Sequence, residues 1–512
     1  MKSTPDDRNY VGAVVEYMVN ANSTVNLQNY IHLLQDAALQ NADIIVFPEL
    51  ALTSPSQVEI PLNGLLKDYP IPALQPELYD EFLVAISSAA IENDIYVVIN
   101  LEELLNCTSG YVTGESCPEQ KVYIFSTNVV FDRSGAVIDR YRKINLFGEL
   151  TRTPALSPEL GIFETDFGVT FGHLTSLDLL FQVPAIQMVQ KHNITNIIFP
   201  VRWASEMPFL TAVSIQQAYA VAMNVNLLAA GANDVGMGKT GSGIYSGRTG
   251  SLVSVMTGIP TTRLLVSRVP KTPGRAFFSV QGPIYNNVSD QDNLQLTTDL
   301  SLPLHTTRLL EPKIEYQFML SDTDILCSFY LKFNDSNAEQ KYRYRATAFS
   351  GVRTYNQIEA VGSRLCAVIA CTDDTIESCG KRFPQYSPNS TAVFEILEIT
   401  AAVPIPETDE DLSAKNAVYF PVTLDTSIMP LKPADYLFEE VRQILDSYTV
   451  YLFVLRNLKA ELYSFGLWGR EFSTDGETTD NDSPEETPTP DSACIPRLHI
   501  MFLFFAILAL AL

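Results

Sequence analysis

Three polar residues at the ends of apolar runs carry the chemistry this chain could do. Glu49 closes the run in "NADIIVFPELALTSP" (41–55), where Ile44, Ile45, Val46 and Phe47 read as a short strand covered on both faces and Pro48 stops it. Lys143 follows the strand-like "AVID" and precedes Leu146 and Phe147. Ser176 lies in "FGHLTSLDLLF" (171–181), an apolar run that enters a Thr-Ser-Leu-Asp turn. Open α/β sheets gather residues from distant segments at the carboxyl ends of their strands, so the three can meet there. A carboxylate that takes a nucleophile's proton, an ammonium that holds an oxyanion, and a nucleophile between them can open an amide. Taken singly, two of them have a plainer reading: Glu49 as a solvated loop carboxylate, Lys143 as half of a structural ion pair.

The elements that must position them are legible. Residues 10–19 read as a strand, and 24–41 as a helix with Leu27, Tyr30, Ile31, Leu34, Ala37 and Ala38 at helical spacing. Residues 77–93 form a second helix, with Leu78, Phe82, Leu83, Ile86 and Ala90 on one stripe. "IYVVINLEE", "KVYIFSTNVVFD" and "AVIDRYRKINLF" are strands; "NIIFP" and "VNLLAAG" follow as strands, with helices over 184–192 and 211–224. This alternation predicts an α/β domain over 10–285. Beyond it, "KIEYQFML", "ILCSFYLKF", "YRYRATAFSG", "LCAVIAC" and "TAVFEILEIT" read as strands without long helices between them, a β-rich domain over 286–470 in which "ADYLFEEVRQIL" is the one expected helix. Residues 471–492 are acidic, rich in Ser, Thr and Pro and nearly free of apolar side chains, the composition of a disordered stalk.

A chain of 512 residues exceeds one ordinary core, and 46% hydrophobic with 18% charged residues places it among globular proteins. With 34 Lys and Arg against 59 Asp and Glu, the net charge of −25 repels phosphate backbones and anionic lipid, which argues against nucleic acid as a partner. The start, "MKSTPDDRN", is polar, and the apolar stretch behind it carries Glu16 and reads as a strand, so no secretory core is visible there. The other end is "MFLFFAILALAL" (501–512), short for a bilayer span, preceded by a spacer with Arg497 and His499 and by the small residues Ser492 and Ala493. That order is the signal for a glycosylphosphatidylinositol (GPI) anchor, with Ser492 as attachment site and 493–512 removed. Sequons at Asn22, Asn106, Asn193, Asn287, Asn334 and Asn389 fit an exported chain; the one at Asn481 is weakened by Pro484. Export in turn implies a signal peptide ahead of Met1. Setting Cys494 aside with the tail leaves six cysteines: Cys107–Cys117 and Cys371–Cys379 close short loops, and elimination pairs Cys327 with Cys366. No paired CxxC motif appears and the five histidines are scattered, so neither a zinc site nor any other metal or cofactor is expected.

Five motifs in order, "ADIIVFPELALT", "YRKINLF", "FGHLTSLDLLF", "IIFPVRWASEMPFLTAVSIQQAYAVAMNVNLLAA" and "KTGSGIYS", resemble the vanin and biotinidase branch of the nitrilase superfamily, with the closest likeness to insect vanin-like proteins. A weaker likeness, including "LYSFGLWGREF", extends over the β-rich part. The resemblance implies a four-layer αββα sandwich followed by a smaller β-rich base domain, in extracellular, often GPI-anchored glycoproteins. It implies hydrolysis of linear amides: pantetheine in vanins, biotin amides in biotinidase. It matches Glu49 to the general base, Lys143 to the oxyanion-stabilising lysine and Glu149 to a supporting acid, the last at a shorter spacing than the family's. The family pattern F-x-x-x-[TS]-C-F-D meets Phe171 to Asp178, and serine, Ser176, stands where the pattern has cysteine. No cysteine lies between Cys117 and Cys327 to replace it. Three functions follow as expectations: a pocket that binds a small amide but cleaves it poorly or not at all, a slow serine amidase, or a surface structural or adhesive glycoprotein. His173 as a substitute base is disfavoured, because on a strand it would face away from Ser176.

Overall fold

The computed structural model describes residues 2–52, 58–60, 65–107, 121–146, 148–157, 159–274, 284–285, 288–311, 315–334, 340–355, 359–387, 389–411, 414–445 and 447–477. The first sheet is built from β1 (Asn9–Met18), β2 (Ile44–Val46), β3 (Tyr96–Asn106), β4 (Val122–Phe131) and β5 (Val137–Arg142). The second comprises β6 (Ile162–Glu164), β7 (Thr170–His173), β8 (Asn196–Val201), β9 (Asn226–Asn233), β10 (Ser242–Ser246) and β11 (Gly250–Val255). β12 (Arg263–Pro270) returns to pair antiparallel with β1. The pairs β1/β2, β2/β3, β7/β8 and β8/β9 are parallel. Tyr17 and Met18 of β1 also pair in parallel with Ala232 and Asn233 of β9. The parallel strands of both sheets therefore end on one side of the molecule.

Burial follows from sequence pattern. Val14, Ile44, Val46 and Val98 of the first sheet meet Phe171, Ile198, Leu228 and Ile244 of the second in a core between the sheets. Both faces of these strands are covered, which is why their apolar runs are continuous rather than alternating. Helix α1 (Ser23–Leu39) starts where Asn22 accepts a hydrogen bond from the Thr24 N–H. Helix α2 (Glu81–Asn93) starts where Asp80 accepts one from the Phe82 N–H, four residues later than the stripe alone predicted. Tyr30, Leu34, Phe82 and Ile86 of these helices cover the outer face of the first sheet. Helix α3 (Ala212–Met223) covers the second sheet through Ile215, Ala218 and Tyr219. Every residue from Ala212 to Val221 is buried, because the helix lies between that sheet and the strand Ala417–Asp425. The layer order helix, sheet, sheet, helix is the expected αββα sandwich.

Among the described residues, the long C-terminal strands form two antiparallel five-stranded sheets. One runs Thr306–Leu310, Arg343–Tyr355, Glu359–Cys371, Leu462–Glu471, Ala417–Asp425; the other runs Glu315–Asp322, Ile325–Phe333, Phe394–Pro404, Tyr448–Leu455, Tyr436–Leu445. Their shared core is aromatic, with Phe453 stacked on Phe465 at 3.8 Å between ring centres. The Cys327–Cys366 disulfide joins the two sheets, with Cα atoms 5.5 Å apart. Cys371–Cys379 closes a loop at the end of Glu359–Cys371. Cys107 is disulfide-bonded, and Cys117 lies outside the described residues.

One expectation is corrected. "ADYLFEEVRQIL" is not a helix: Tyr436–Leu445 is a strand in a hairpin with Tyr448–Leu455. Tyr436 is buried against the shared core, and Phe438 stacks on Tyr451 of the partner strand. Cross-strand aromatic pairing overrode the helical preference of its Leu, Glu, Arg and Gln. Of the sequons, Asn22, Asn106, Asn193 and Asn389 are exposed and Asn334 is half-buried. Asn287, Asn481, Ser492 and residues 478–512 lie outside the described residues.

Candidate active site

Glu49, Lys143 and Ser176 each follow the carboxyl end of a strand. After β2, Phe47 still donates to the Val98 carbonyl at 3.0 Å, and the Leu50 N–H donates to Asn100 Oδ1 at 2.8 Å, which fixes the turn holding Glu49. Lys143 continues β5, its N–H donating to the Ser126 carbonyl at 2.9 Å. β7 ends at His173, Leu174 donates to the Ile198 carbonyl at 2.9 Å, and Ser176 then adopts φ +44°. That left-handed backbone costs a non-glycine residue about 1–2 kcal/mol. The resulting sharp strand-to-helix turn presents the Ser176 hydroxyl beyond the sheet edge, as nucleophile elbows do.

The three side chains touch. Ser176 Oγ donates to Glu49 Oε2 at 2.5 Å and accepts from the Arg202 N–H at 2.8 Å. Lys143 Nζ donates to Glu49 Oε1 at 3.0 Å and to Glu149 Oε1 at 2.7 Å. Ser126 Oγ adds a further bond to Glu49 Oε1 at 3.0 Å. Lys143 and Glu49 are almost wholly buried, at 1% and 2% side-chain exposure, so their charges are not screened by water. Burial alone would raise the Glu49 carboxyl, but the Lys143 ammonium and the bonds from Ser176, Lys143 and Ser126 hold it below the usual carboxylate range. Burial would lower Lys143, yet the Glu49 and Glu149 carboxylates hold it above the usual lysine value. The resting site is an ionised carboxylate and an ammonium, with a neutral hydroxyl donating to the carboxylate.

The neighbours that fix this geometry are less visible in the sequence. Asp178 accepts four hydrogen bonds: from Tyr141 Oη at 2.6 Å, the Asn145 N–H at 2.8 Å, Asn145 Nδ2 at 2.9 Å and the Thr175 N–H at 3.2 Å. It ties the loop after Lys143 to the turn holding Ser176. Burial pushes its carboxyl up to about 6, although all four bonds favour the carboxylate. An Asp178→Ala variant leaves these donors unpaired in the interior, and its unfolding free energy is expected to fall by about 2–4 kcal/mol, measured by denaturant titration. A drop within 0.5 kcal/mol of wild type, taking about that as the scale of a surface change, contradicts the role. Beneath Glu49, Asn100 donates to Ser126 Oγ at 3.2 Å and to Asn128 Oδ1 at 2.9 Å, a buried polar ladder across β3 and β4. Its only sequence signal is polar residues inside strands that are otherwise apolar. His173 packs edge-on to Phe163, with Nε2 3.4 Å from Asp139 Oδ2, away from the Ser176 hydroxyl. Among the described residues, no group of three His, Cys, Asp or Glu side chains is arranged to hold a metal ion.

Glu49, Lys143 and Ser176 open into a cavity of about 960 Å³. One wall comes from Trp203, Leu210 and Met237, another from Leu300, Thr354 and Tyr355. The volume suits a small molecule with a carbonyl near Ser176 and apolar body elsewhere.

Comparison with known proteins gives the frame for this geometry. The carbon-nitrogen hydrolase family matches residues 12–258, and the vanin C-terminal domain matches residues 294–475. Vanin-like protein 1 of Drosophila melanogaster is 34% identical over 502 residues, covering 93% of this chain and 88% of that protein. The chain belongs to the vanin family. A biotinidase of Takifugu rubripes is 30% identical, covering 73% of this chain and 81% of its own. A human pantetheine hydrolase is 28% identical, covering 70% of this chain and 71% of its own. The vanin-family chain thus joins a carbon-nitrogen hydrolase sandwich to the vanin C-terminal β-sheets, and the cavity has walls from both matched segments. Among the described residues, no helix is long and apolar enough to cross a membrane.

Proposed function

We propose that this vanin-family chain binds a small linear amide of the pantetheine or biotin-amide kind and hydrolyses it poorly or not at all, because Ser176 stands in the nucleophile position. The observation that carries the reading is the Ser176–Glu49 hydrogen bond, with Glu49 pinned by Lys143. Base, ammonium and nucleophile position are assembled, but the base is a carboxylate held below its usual range, and the proton it must take belongs to an alcohol. A free thiol has a pKa of about 8.5 and water one of about 15.7; a hydroxyl is close to water. The gap of about 7 units makes full ionisation roughly 10 kcal/mol harder for serine than for cysteine. Concerted proton transfer recovers part of that, not all. Binding without turnover is the test. A non-hydrolysed excess of pantetheine or a biotin amide is expected to raise the thermal midpoint of the wild-type protein; no shift with either ligand at millimolar concentration contradicts the reading.

The second reading is an active serine amidase. The strained turn at Ser176 and its short bond to Glu49 favour it, since both aim the hydroxyl at a base. It predicts turnover that disappears in Ser176→Ala.

The proposal includes attachment to the outer face of the cell membrane by a GPI lipid at Ser492. The support is the order of small residues, polar spacer and terminal apolar run over 492–512. Phosphatidylinositol-specific phospholipase is expected to release the protein from cells. Retention on membranes while a known anchored protein is released would count against the anchor.

A further inference from the structure

Most charges around the cavity are already matched. Lys143 is shared by Glu49 and Glu149, and Arg152 reaches Glu102 at 2.6 Å. Glu206 and Asp299 share the buried Arg353, and burial holds the Glu206 carboxyl above its usual value. Arg202 and Lys239 are different. Among the described residues Arg202 has only Asp234 as an ion-pair partner, at 3.9 Å and with both side chains partly exposed, a weak pairing. Lys239 has no ion-pair or hydrogen-bond partner for its ammonium among the described residues, and both residues line the cavity beside Ser176. Burial and the neighbouring Arg202 guanidinium hold the Lys239 ammonium below its usual value.

The backbone builds this juxtaposition. The Arg202 N–H holds Ser176 Oγ at 2.8 Å, which fixes Arg202 at the reacting centre. Lys239 pairs with Ala204 in an antiparallel bridge and with Asp234 across a tight loop. That loop is anchored by the buried Glu16 carboxylate, which accepts bonds from Asn233 Nδ2, Thr240 Oγ1 and Ser242 Oγ at 2.7, 2.7 and 2.5 Å. Two like charges are therefore held together in a cavity wall, inside a chain whose net charge of −25 supplies no general attraction for anions.

We propose that Arg202 and Lys239 form an anion subsite that selects linear amides carrying a carboxylate, which narrows the substrate class and rests on the amide-binding reading above. A carboxylate fits better than a phosphate dianion, because Glu49 and Glu149 line the same cavity and penalise a second negative charge. The guanidinium fork suits a planar carboxylate, and the ammonium adds a point charge.

The test uses the biotinyl and pantothenoyl amides of 6-aminohexanoic acid, each as free carboxylate and as carboxamide, with affinity read by calorimetry on the full chain. On at least one acyl scaffold the carboxylate is expected to bind about tenfold or more tightly than the carboxamide, and the preference is expected to shrink as salt rises. Lys239→Met and, separately, Arg202→Gln are expected to remove most of the preference for carboxylate over carboxamide. Equal affinity for carboxylate and carboxamide overturns the subsite alone. A preference that survives in both variants also overturns it. Failure of all four ligands to bind overturns the subsite together with the amide-binding reading.

Discussion

A Ser176→Cys variant is expected to release amine from pantetheine or a biotin amide at least about 10²-fold faster than the wild-type chain. The substitution exchanges one atom, oxygen for sulfur, in a turn where residue 176 holds φ +44°. A thiol placed there meets a carboxylate through the contact Ser176 now makes at 2.5 Å, and Lys143 lies 3.0 Å from that carboxylate's other oxygen. The ammonium favours the thiolate as well as the oxyanion that follows. Adding Glu49→Gln to Ser176→Cys removes the proton acceptor and is expected to cost about 10²–10⁴ of the gained rate. A folded Ser176→Cys protein with no gain would mean that the cavity has diverged beyond its nucleophile. A gain that survives Glu49→Gln would remove Glu49 from the role of base.

The second large effect is on stability. Lys143→Met leaves the Glu49 and Glu149 carboxylates without the ammonium that sits 3.0 and 2.7 Å from them, and is expected to destabilise the fold by about 3–5 kcal/mol. The pH dependence changes sign with it. In wild type the folded Glu49 carboxyl lies below its ordinary value of 4.5, so its contribution is present above that pH and lost as pH falls through the lower folded value. Lys143 lies above its ordinary 10.5, so its contribution is present below that pH and lost only as pH rises through the higher folded value. Without the lysine, burial dominates and the carboxyl moves above its ordinary value, so stability rises as pH falls from neutrality toward 4.5. Thermal melts of both proteins over that interval check this. Combining Lys143→Met with Glu49→Gln is expected to recover part of the loss, since the stranded charge is gone. A single variant that melts like wild type, with the same pH profile, would show that the pair is not load-coupled to folding.

The sandwich was readable because its strands and helices are long and their periods clear. The runs Ile44–Phe47 and "NIIFP" are continuously apolar since both faces are covered, and α1 carries its stripe from Leu27 to Ala38. The hairpin strand Tyr436–Leu445 was not readable, because its residues favour a helix and only its partner strand reveals the pleat. At the site, Glu49, Lys143 and Ser176 stand out as polar residues at strand ends. Ser126, Asn100 and Asp178 do not: their roles depend on which strand lies beside which, information carried by pairing rather than by local pattern. The Arg202 N–H is invisible to sequence altogether, because any residue supplies a backbone donor. Glu149 was placed at a spacing shorter than the family's, yet its carboxylate reaches Lys143 at 2.7 Å through the loop after β5.

The most direct measurement is of initial rates of amine release by wild type, Ser176→Ala and Ser176→Cys, prepared and assayed together on pantetheine and on a biotin amide. The account predicts that wild type and Ser176→Ala are indistinguishable from the uncatalysed background while Ser176→Cys stands clearly above both. Wild-type turnover that is lost in Ser176→Ala would contradict it, and would make Ser176 a working nucleophile.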